Sequence, residues 1–179
     1  MYGTVEELVA AVSKGEHVKY LFFWGHTSTR DSVGAECLSQ WYGAPFVVDG
    51  VHYRTAEHFM MAEKARLFSD ESMAARIVEA RSPGAAKRLG REVRGFNEEA
   101  WRRARFDIVV RGNEAKFKQN PELGEFLRNT QTRVLVEASP QDRIWGIGLE
   151  RSAEGADNPR LWKGLNLLGF ALMEVRKRL

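Results

Sequence analysis

The apolar positions change their period several times along the chain. "VKYLFFW", residues 18–24, is β-branched and aromatic and predicts a buried strand. "PFVVDGVHYR", residues 45–54, sets Asp49-Gly50 between two apolar runs, the pattern of a tight hairpin. From there the period is helical. Thr55 caps a helix running to Phe68, and Ser69 or Asp70 starts "ESMAARIVEA". Ser82-Pro83 starts "GAAKRLG", with proline in the first turn, where its missing N–H costs nothing. Asn97 caps a long helix towards Phe117, and Asn120-Pro121 opens "ELGEFLRN". "TRVLVEA" returns to strand, followed by "IWGIGLE", a polar stretch from Arg151 to Arg160, and a last helix from about Gly164 to Lys177. Near the start, Thr4 and Glu7 form a capping box before "LVAAV". This order predicts an α+β fold: one compact, mostly helical domain over residues 1–179, around a small mainly antiparallel sheet. Residues 1–17 would be an N-terminal helical extension.

The helix in "YRTAEHFMMAEKARLF", residues 53–68, carries an anomaly. With Ala56 at zero and 100° per residue, Met60, Lys64, Glu57, Phe68 and Met61 fall between about 40° and 140°. His58, Ala62, Ala65 and Arg66 make the opposite, polar side. Glu57 and Lys64 therefore point the same way from the centre of the apolar arc, with Cα atoms roughly 10 Å apart along the axis. Burying two charges costs several kcal/mol each. Periodicity fits a structural ion pair, or a lysine that snorkels out of the core, as well as it fits two groups lining a cleft. In a cleft, desolvation would favour neutral, nucleophilic Lys64, and Glu57 could move protons.

Bulk properties narrow the classes. The 179 residues are 44% hydrophobic and 28% charged, values of an ordinary globular domain. A net charge of +3 suits a phosphate-bearing small ligand as well as nucleic acid. Cys37 is the only cysteine, which excludes an internal disulfide and a thiolate cluster and fits a reducing cytosol. The acidic first residues and the short "LVAAV" run do not resemble a signal peptide, and no apolar run approaches the roughly 20 residues of a membrane span. The expectation is a cytoplasmic protein that engages no membrane. Nothing in the pattern bears on oligomeric state.

Several shorter stretches carry possible chemistry. Trp24-Gly25-His26 ends a strand, and Gly25 either lets a ligand approach the backbone or simply leaves the strand. Ser39, Gln40, Trp41 and Tyr42 offer a hydroxyl, an amide and rings to a base or sugar, or form a surface turn. Trp145 precedes Gly146 and Gly148, but a third glycine and a following helix are missing, so a β-bulge fits better than a phosphate loop. Asp157 and Asn158 suit a turn, or Asp157 supplies an acid or base beside "WGIG". Asn166 reads as a helix cap. Trp101 with Arg102, Arg103 and Arg105 reads as a solvated face or a phosphate contact. The four histidines show no metal-ligand spacing.

"FFWGH", "LSQWYGAPFVVDGVHYRTAEHFMMAEKARLF", "AAKRLGR", Trp101, "AKFKQNPEL", "LVEASPQDRIWGIGLE" and "LWKGLNLLGFALMEVR", in this order, resemble the NADAR family, the YbiA-like N-glycosidases. The resemblance implies a compact, mostly helical α+β fold and hydrolysis of N-glycosidic bonds to ribose, with no metal and no cofactor. It implies a phosphorylated ribosyl or ADP-ribosyl small molecule as partner. One such activity acts on ribosylamino-pyrimidine phosphates of riboflavin synthesis. Another removes ADP-ribose from guanine in nucleic acid. A non-catalytic ADP-ribose-binding module is a further alternative. Glu57 and Lys64 match the family's helix glutamate and lysine, the lysine being associated with an imine to the opened ribose. Trp24, Gly25, Ser39, Trp101 and Trp145 would shape the pocket. Asn166 and N–H groups near Gly146 would hold hydroxyls or phosphate. Ile147 stands where many members carry an acid, and Asp157 is the substitute expected here.

Overall fold

A computed structural model describes residues 2–27 and 32–179. Thr4 starts α1 (Val5–Ser13) by accepting the Glu7 N–H at 3.2 Å, while the Glu7 carboxylate accepts from Gly3 N–H at 2.7 Å. β1 spans Tyr20–Phe23. The expected hairpin is β2 (Phe46–Val48) and β3 (Val51–Tyr53). It turns on Asp49 and Gly50, at φ 50° and 78°, the left-handed pair that a two-residue turn requires. Then come α2 (Ala56–Leu67), α3 (Glu71–Val78), α4 (Pro83–Arg91), α5 (Glu98–Gln119) and α6 (Pro121–Asn129). β4 (Val134–Glu137) and α7 (Leu167–Arg178) complete the order. Thr55, Asp70, Ser82 and Asn97 each accept a first-turn N–H. Asn120 does not cap; its amide donates to the Pro45 and Lys116 carbonyls.

The α+β class holds, with the strands in two separate pairs. The hairpin is antiparallel as expected, but β1 lies parallel to β4, with Tyr20 opposite Val134 and Phe23 opposite Glu137. A parallel pair needs a long crossover, and the hairpin and α2 to α6 all lie within it. α7 covers β4, and α5 packs on both α2 and α7. Val134, Leu135 and Val136 meet Leu168, Phe170 and Leu172 in the core. No helix among the described residues is long and apolar enough to cross a membrane.

Helix α2 departs from the expected polar side. It is enclosed by α3, α4 and α5, so His58, Ala62 and Ala65 are buried as well. The His58 ring bonds Thr55 Oγ1 at 2.8 Å and the Ala80 carbonyl at 3.0 Å. The basic run on α5 divides between core and solvent. Trp101 and Arg105 are buried, while Arg102 and Arg103 pair with Glu98 and Glu99 one turn back.

The α2–α5 contact depends on Gly112, where a Cβ would stand 2.4 Å from the Phe59 ring. The Phe59 ring is itself buried in the core. Gly112→Ala is expected to destabilise the fold by about 1–3 kcal/mol through overpacking. The check is urea denaturation; an unchanged midpoint would refute the tight contact.

Candidate active site

The segment before the hairpin is tied down from α5. Lys116, wholly buried, donates to the Cys37 carbonyl at 2.7 Å and the Ser39 carbonyl at 2.8 Å. Asn113 donates to Gln40 Oε1 at 2.7 Å. The Gln40 carbonyl in turn accepts the Glu57 N–H at 3.0 Å. Ser39, Gln40 and Trp41 are thereby laid over the first turn of α2. Burial pushes the Lys116 amine down to about 7.

Glu57 is 3% exposed, and its Oε1 is buried with no hydrogen-bond partner. Lys64 gives its amine to the Gly90 carbonyl at 2.8 Å. The two are not a structural ion pair. The Lys64 Nζ lies 4.3 Å from the Phe96 ring centroid and 5.8 Å from that of Trp101. α4 can come this close because Gly90 has no Cβ; one there would stand 2.2 Å from Met61 Sδ. Burial lifts the Glu57 carboxyl from 4.5 to about 7, against the pull of the Lys87 charge and the Trp41 indole. Burial also lowers the Lys64 amine, with Glu98 opposing.

Glu57 and Lys64 line one lobe of a cleft, a cavity of about 470 Å³ that also holds Trp101, Glu137 and Trp145. A second lobe of about 490 Å³ holds Trp24, Gly25 and His26. Ser39, Trp41, Lys87, Arg91, Glu137 and Asp142 border both. Trp24 is 63% exposed, and Gly25, at φ 83°, has open space where a side chain would be. The Trp41 ring lies 5.5 Å from His26 and 5.9 Å from the Lys87 amine.

Glu137 is the acid that sequence reasoning missed. It ends β4, and its Oε2 is buried without a partner among the described residues. Burial, then the Asp142 and Glu57 carboxylates, push it up to about 8, with Lys87 opposing. Two carboxyls and one amine of altered protonation thus share one cavity, an arrangement suited to proton transfer beside a nucleophile.

The "WGIG" segment is a supporting loop. Asp142 Oδ1 accepts from Ile144 and Trp145 N–H, both at 2.8 Å. Ile147 N–H donates to the Glu137 carbonyl at 2.9 Å and Gly148 N–H to the Asp142 carbonyl at 3.0 Å. These four N–H groups are spent on the loop and the end of β4 and are not free to hold a phosphate. Gly146 packs where a Cβ would stand 2.8 Å from the Glu137 carbonyl. Asn166 is wholly buried and borders neither lobe. Nor does its side chain cap α7. Asp157 is not brought to the cleft; it lines a separate cavity with Val12, Ser13, Asn158 and Arg160 against α1. The chain reaches α1 by Asp157, so nearness in sequence to "WGIG" is not nearness in space.

Residues 22–179 match the family model of the NADAR domain. The chain belongs to this family. Among NADAR relatives, the N-glycosidase R617 of Acanthamoeba polyphaga mimivirus is 43% identical over 166 residues, 89% of this chain and 95% of that one. The N-glycosidase YbiA of Escherichia coli is 34% identical over 152 residues, 85% of each chain. The NMR structure of E. coli YbiA superimposes with a TM-score of 0.71 and 28% identity, over 91% of this chain and 86% of that one. The chloroplastic riboflavin biosynthesis protein PYRR of Zea mays is 36% identical over 133 residues, 70% of this chain and 19% of the maize protein. The NADAR match takes in the whole cleft; α1 precedes it.

The raised Glu57 carboxyl has a consequence for stability. A carboxyl whose folded value exceeds its unfolded one stabilises fully below the unfolded value and loses that contribution as pH rises through the folded one. Between 4.5 and about 7 the protein is expected to lose stability on account of Glu57, by on the order of 3 kcal/mol. Glu57→Gln should flatten that part of the curve, measured by urea denaturation over a pH series. An equal slope in the variant would show that Glu57 does not titrate across this range.

Proposed function

We propose that this cleft hydrolyses the bond between C1 of a ribose and a nitrogenous base or amine. The observation that carries the reading is the joint placement of Lys64, Glu57 and Glu137 on one cavity. The NADAR membership and the N-glycosidase names of R617 and YbiA support the activity class. Lys64, partly desolvated, acts as a neutral amine. Its nitrogen bonds C1 as the C1–N bond to the leaving group breaks, and that bonding pair goes to the leaving nitrogen. Glu137, protonated near neutral pH, gives the leaving nitrogen its proton. Glu57 takes a proton from the Lys64 nitrogen; the nitrogen pair then forms the C1=N bond as the C1–O bond of the ring breaks, Glu57 returns the proton to the ring oxygen, and a protonated imine to Lys64 remains. Water adds to the imine carbon and frees the sugar and the amine. Covalent capture divides one hard step into two easier ones. Asp157 has no part in this scheme; Glu137 fills the role.

The favoured substrate is a phosphorylated ribosylamino-pyrimidine of riboflavin synthesis, supported by the likeness to maize PYRR. Lys87 and Arg91, bordering both lobes, suit its phosphate. The second lobe, with Trp24 and Trp41, suits a longer ligand and favours a second reading, ADP-ribose carried on guanine. Release of base from a ribosylamino-pyrimidine phosphate, measured beside release of ADP-ribose from modified DNA, decides between them. Binding of either ligand with no turnover would make the domain a binding module instead.

Borohydride added during turnover is expected to leave a ribosyl mass adduct on Lys64, and Lys64→Ala to lose both adduct and activity. Full activity in Lys64→Ala would end the covalent reading. In the rate–pH profile, the base role of Glu57 predicts a fall below about 7, and the acid role of Glu137 a fall above about 8. Glu137→Gln should lower kcat by about 100- to 10,000-fold, the usual worth of a general acid, and erase the alkaline limb.

A further inference from the structure

Among the described residues, β4 is paired along one edge only, by β1. The other edge leaves backbone groups of Leu135 and Glu137 that need partners inside the protein. Asn166 supplies one partner to each of them, while Ile147 N–H takes the Glu137 carbonyl at 2.9 Å. Its Nδ2 donates to the Leu135 carbonyl at 2.9 Å, and its Oδ1 accepts from the Glu137 N–H at 3.0 Å. In a parallel ladder, a residue facing Val136 from a third strand would make this same pair of bonds with its backbone. The Asn166 amide therefore stands in for the peptide of a missing strand.

The arrangement is costly to build by any other means. Asn166 sits at φ 51° and ψ 34°, a left-handed conformation that asparagine tolerates better than most residues. Its side chain fits because position 169 is glycine; a Cβ there would stand 2.0 Å from the Leu135 carbonyl and 2.5 Å from Asn166 Nδ2. The Asn166 N–H donates to the Gly146 carbonyl at 3.1 Å, and its carbonyl accepts from Phe170 N–H at 3.1 Å. One buried residue thus joins the end of β4, the Trp145–Gly146 turn and the start of α7.

Glu137 needs such an anchor. It is the last residue of its strand, and its Oε2 has no partner among the described residues. The charged groups around it are Glu57 from α2, Lys87 and Arg91 from α4, and Asp142 and Arg143 from the loop; Lys64 shares the lobe. A carboxyl among other carboxylates gains by moving into water, and only its backbone keeps it in the cleft. We infer that Asn166 is a positioning residue for Glu137, holding the strand end so that the carboxyl stays over the site where the leaving group is protonated. This rests on Glu137 being the acid of the proposed reaction.

The experiment compares kcat, KM and the rate–pH profile of the full chain with those of Asn166→Ala, Asn166→Asp and Glu137→Gln. Asn166→Ala is expected to lower kcat by about 100-fold, as a misplaced catalytic group does, with KM little changed. Its alkaline limb should move to lower pH, because a carboxyl released to water returns towards its ordinary range. Asn166→Asp keeps the acceptor for the Glu137 N–H and should recover part of kcat. Combined with Glu137→Gln, Asn166→Ala should cost kcat nothing more. A lower melting temperature with kcat and the limb unchanged would make Asn166 a structural link and overturn the inference, as would failure of both Asn166 variants to fold. Wild-type kcat in Glu137→Gln would remove the acid assignment itself. A large loss in Glu137→Gln with none in Asn166→Ala would remove only the role given to Asn166.

Discussion

Helix α2 is enclosed by α3, α4 and α5, which buries the Glu57 side chain and half-buries that of Lys64. That constraint governs the site. A lone buried charge costs far more than shifting its protonation, so a group in this position moves towards its neutral form unless a partner is at hand. Glu57 has no partner for Oε1, and Lys64 has only a backbone carbonyl and two ring faces. The rings favour the charged amine and desolvation disfavours it; desolvation prevails. A helix that buried two paired charges would have been a structural element. This one sets a buried carboxyl and a half-buried amine, not paired with each other, beside an opening, which is a chemical one.

The surroundings of α2 keep that opening in place. Lys116 and Asn113 on α5 hold the strip from Cys37 to Gln40 by three hydrogen bonds to its carbonyls and amide. Asp142 folds the loop that presents Trp145, and Ile147 ties the loop to the end of β4. Lys116, Asp142 and Ile147 thereby fix backbone, Asn113 fixes the Gln40 side chain, and together they fix the cleft. The acidic members of the cleft repel one another, so their separation is maintained by these ties and not by mutual attraction.

Legibility in the sequence followed the range of the interaction. The caps at Thr4, Thr55, Asp70, Ser82 and Asn97 and the Asp49-Gly50 turn were readable because each joins residues a few positions apart. Glu57 and Lys64 were readable as a pair because one helix sets their common direction. Glu137 was not, since a single acid at the end of "TRVLVEA" breaks no pattern; its meaning comes from α2 and α4, some fifty to eighty residues earlier. Asp157 was chosen for its nearness in sequence to "WGIG", and the chain carries it to α1 instead. Asn166 looked like a cap because it precedes a helix, yet its amide turns to β4, which no local signal could indicate.

Period, caps and turn chemistry determined the elements, the α+β class and the shared face of Glu57 and Lys64, because those are properties of neighbouring residues on one regular backbone. The family motifs pointed to the kind of reaction. The parallel pairing of β1 with β4, the burial of the supposed polar side of α2, and the arrival of Glu137 beside Glu57 were decided only by tertiary structure. Each depends on which surfaces meet across a long crossover, and burial, which sets the protonation of the site, does not exist until they do.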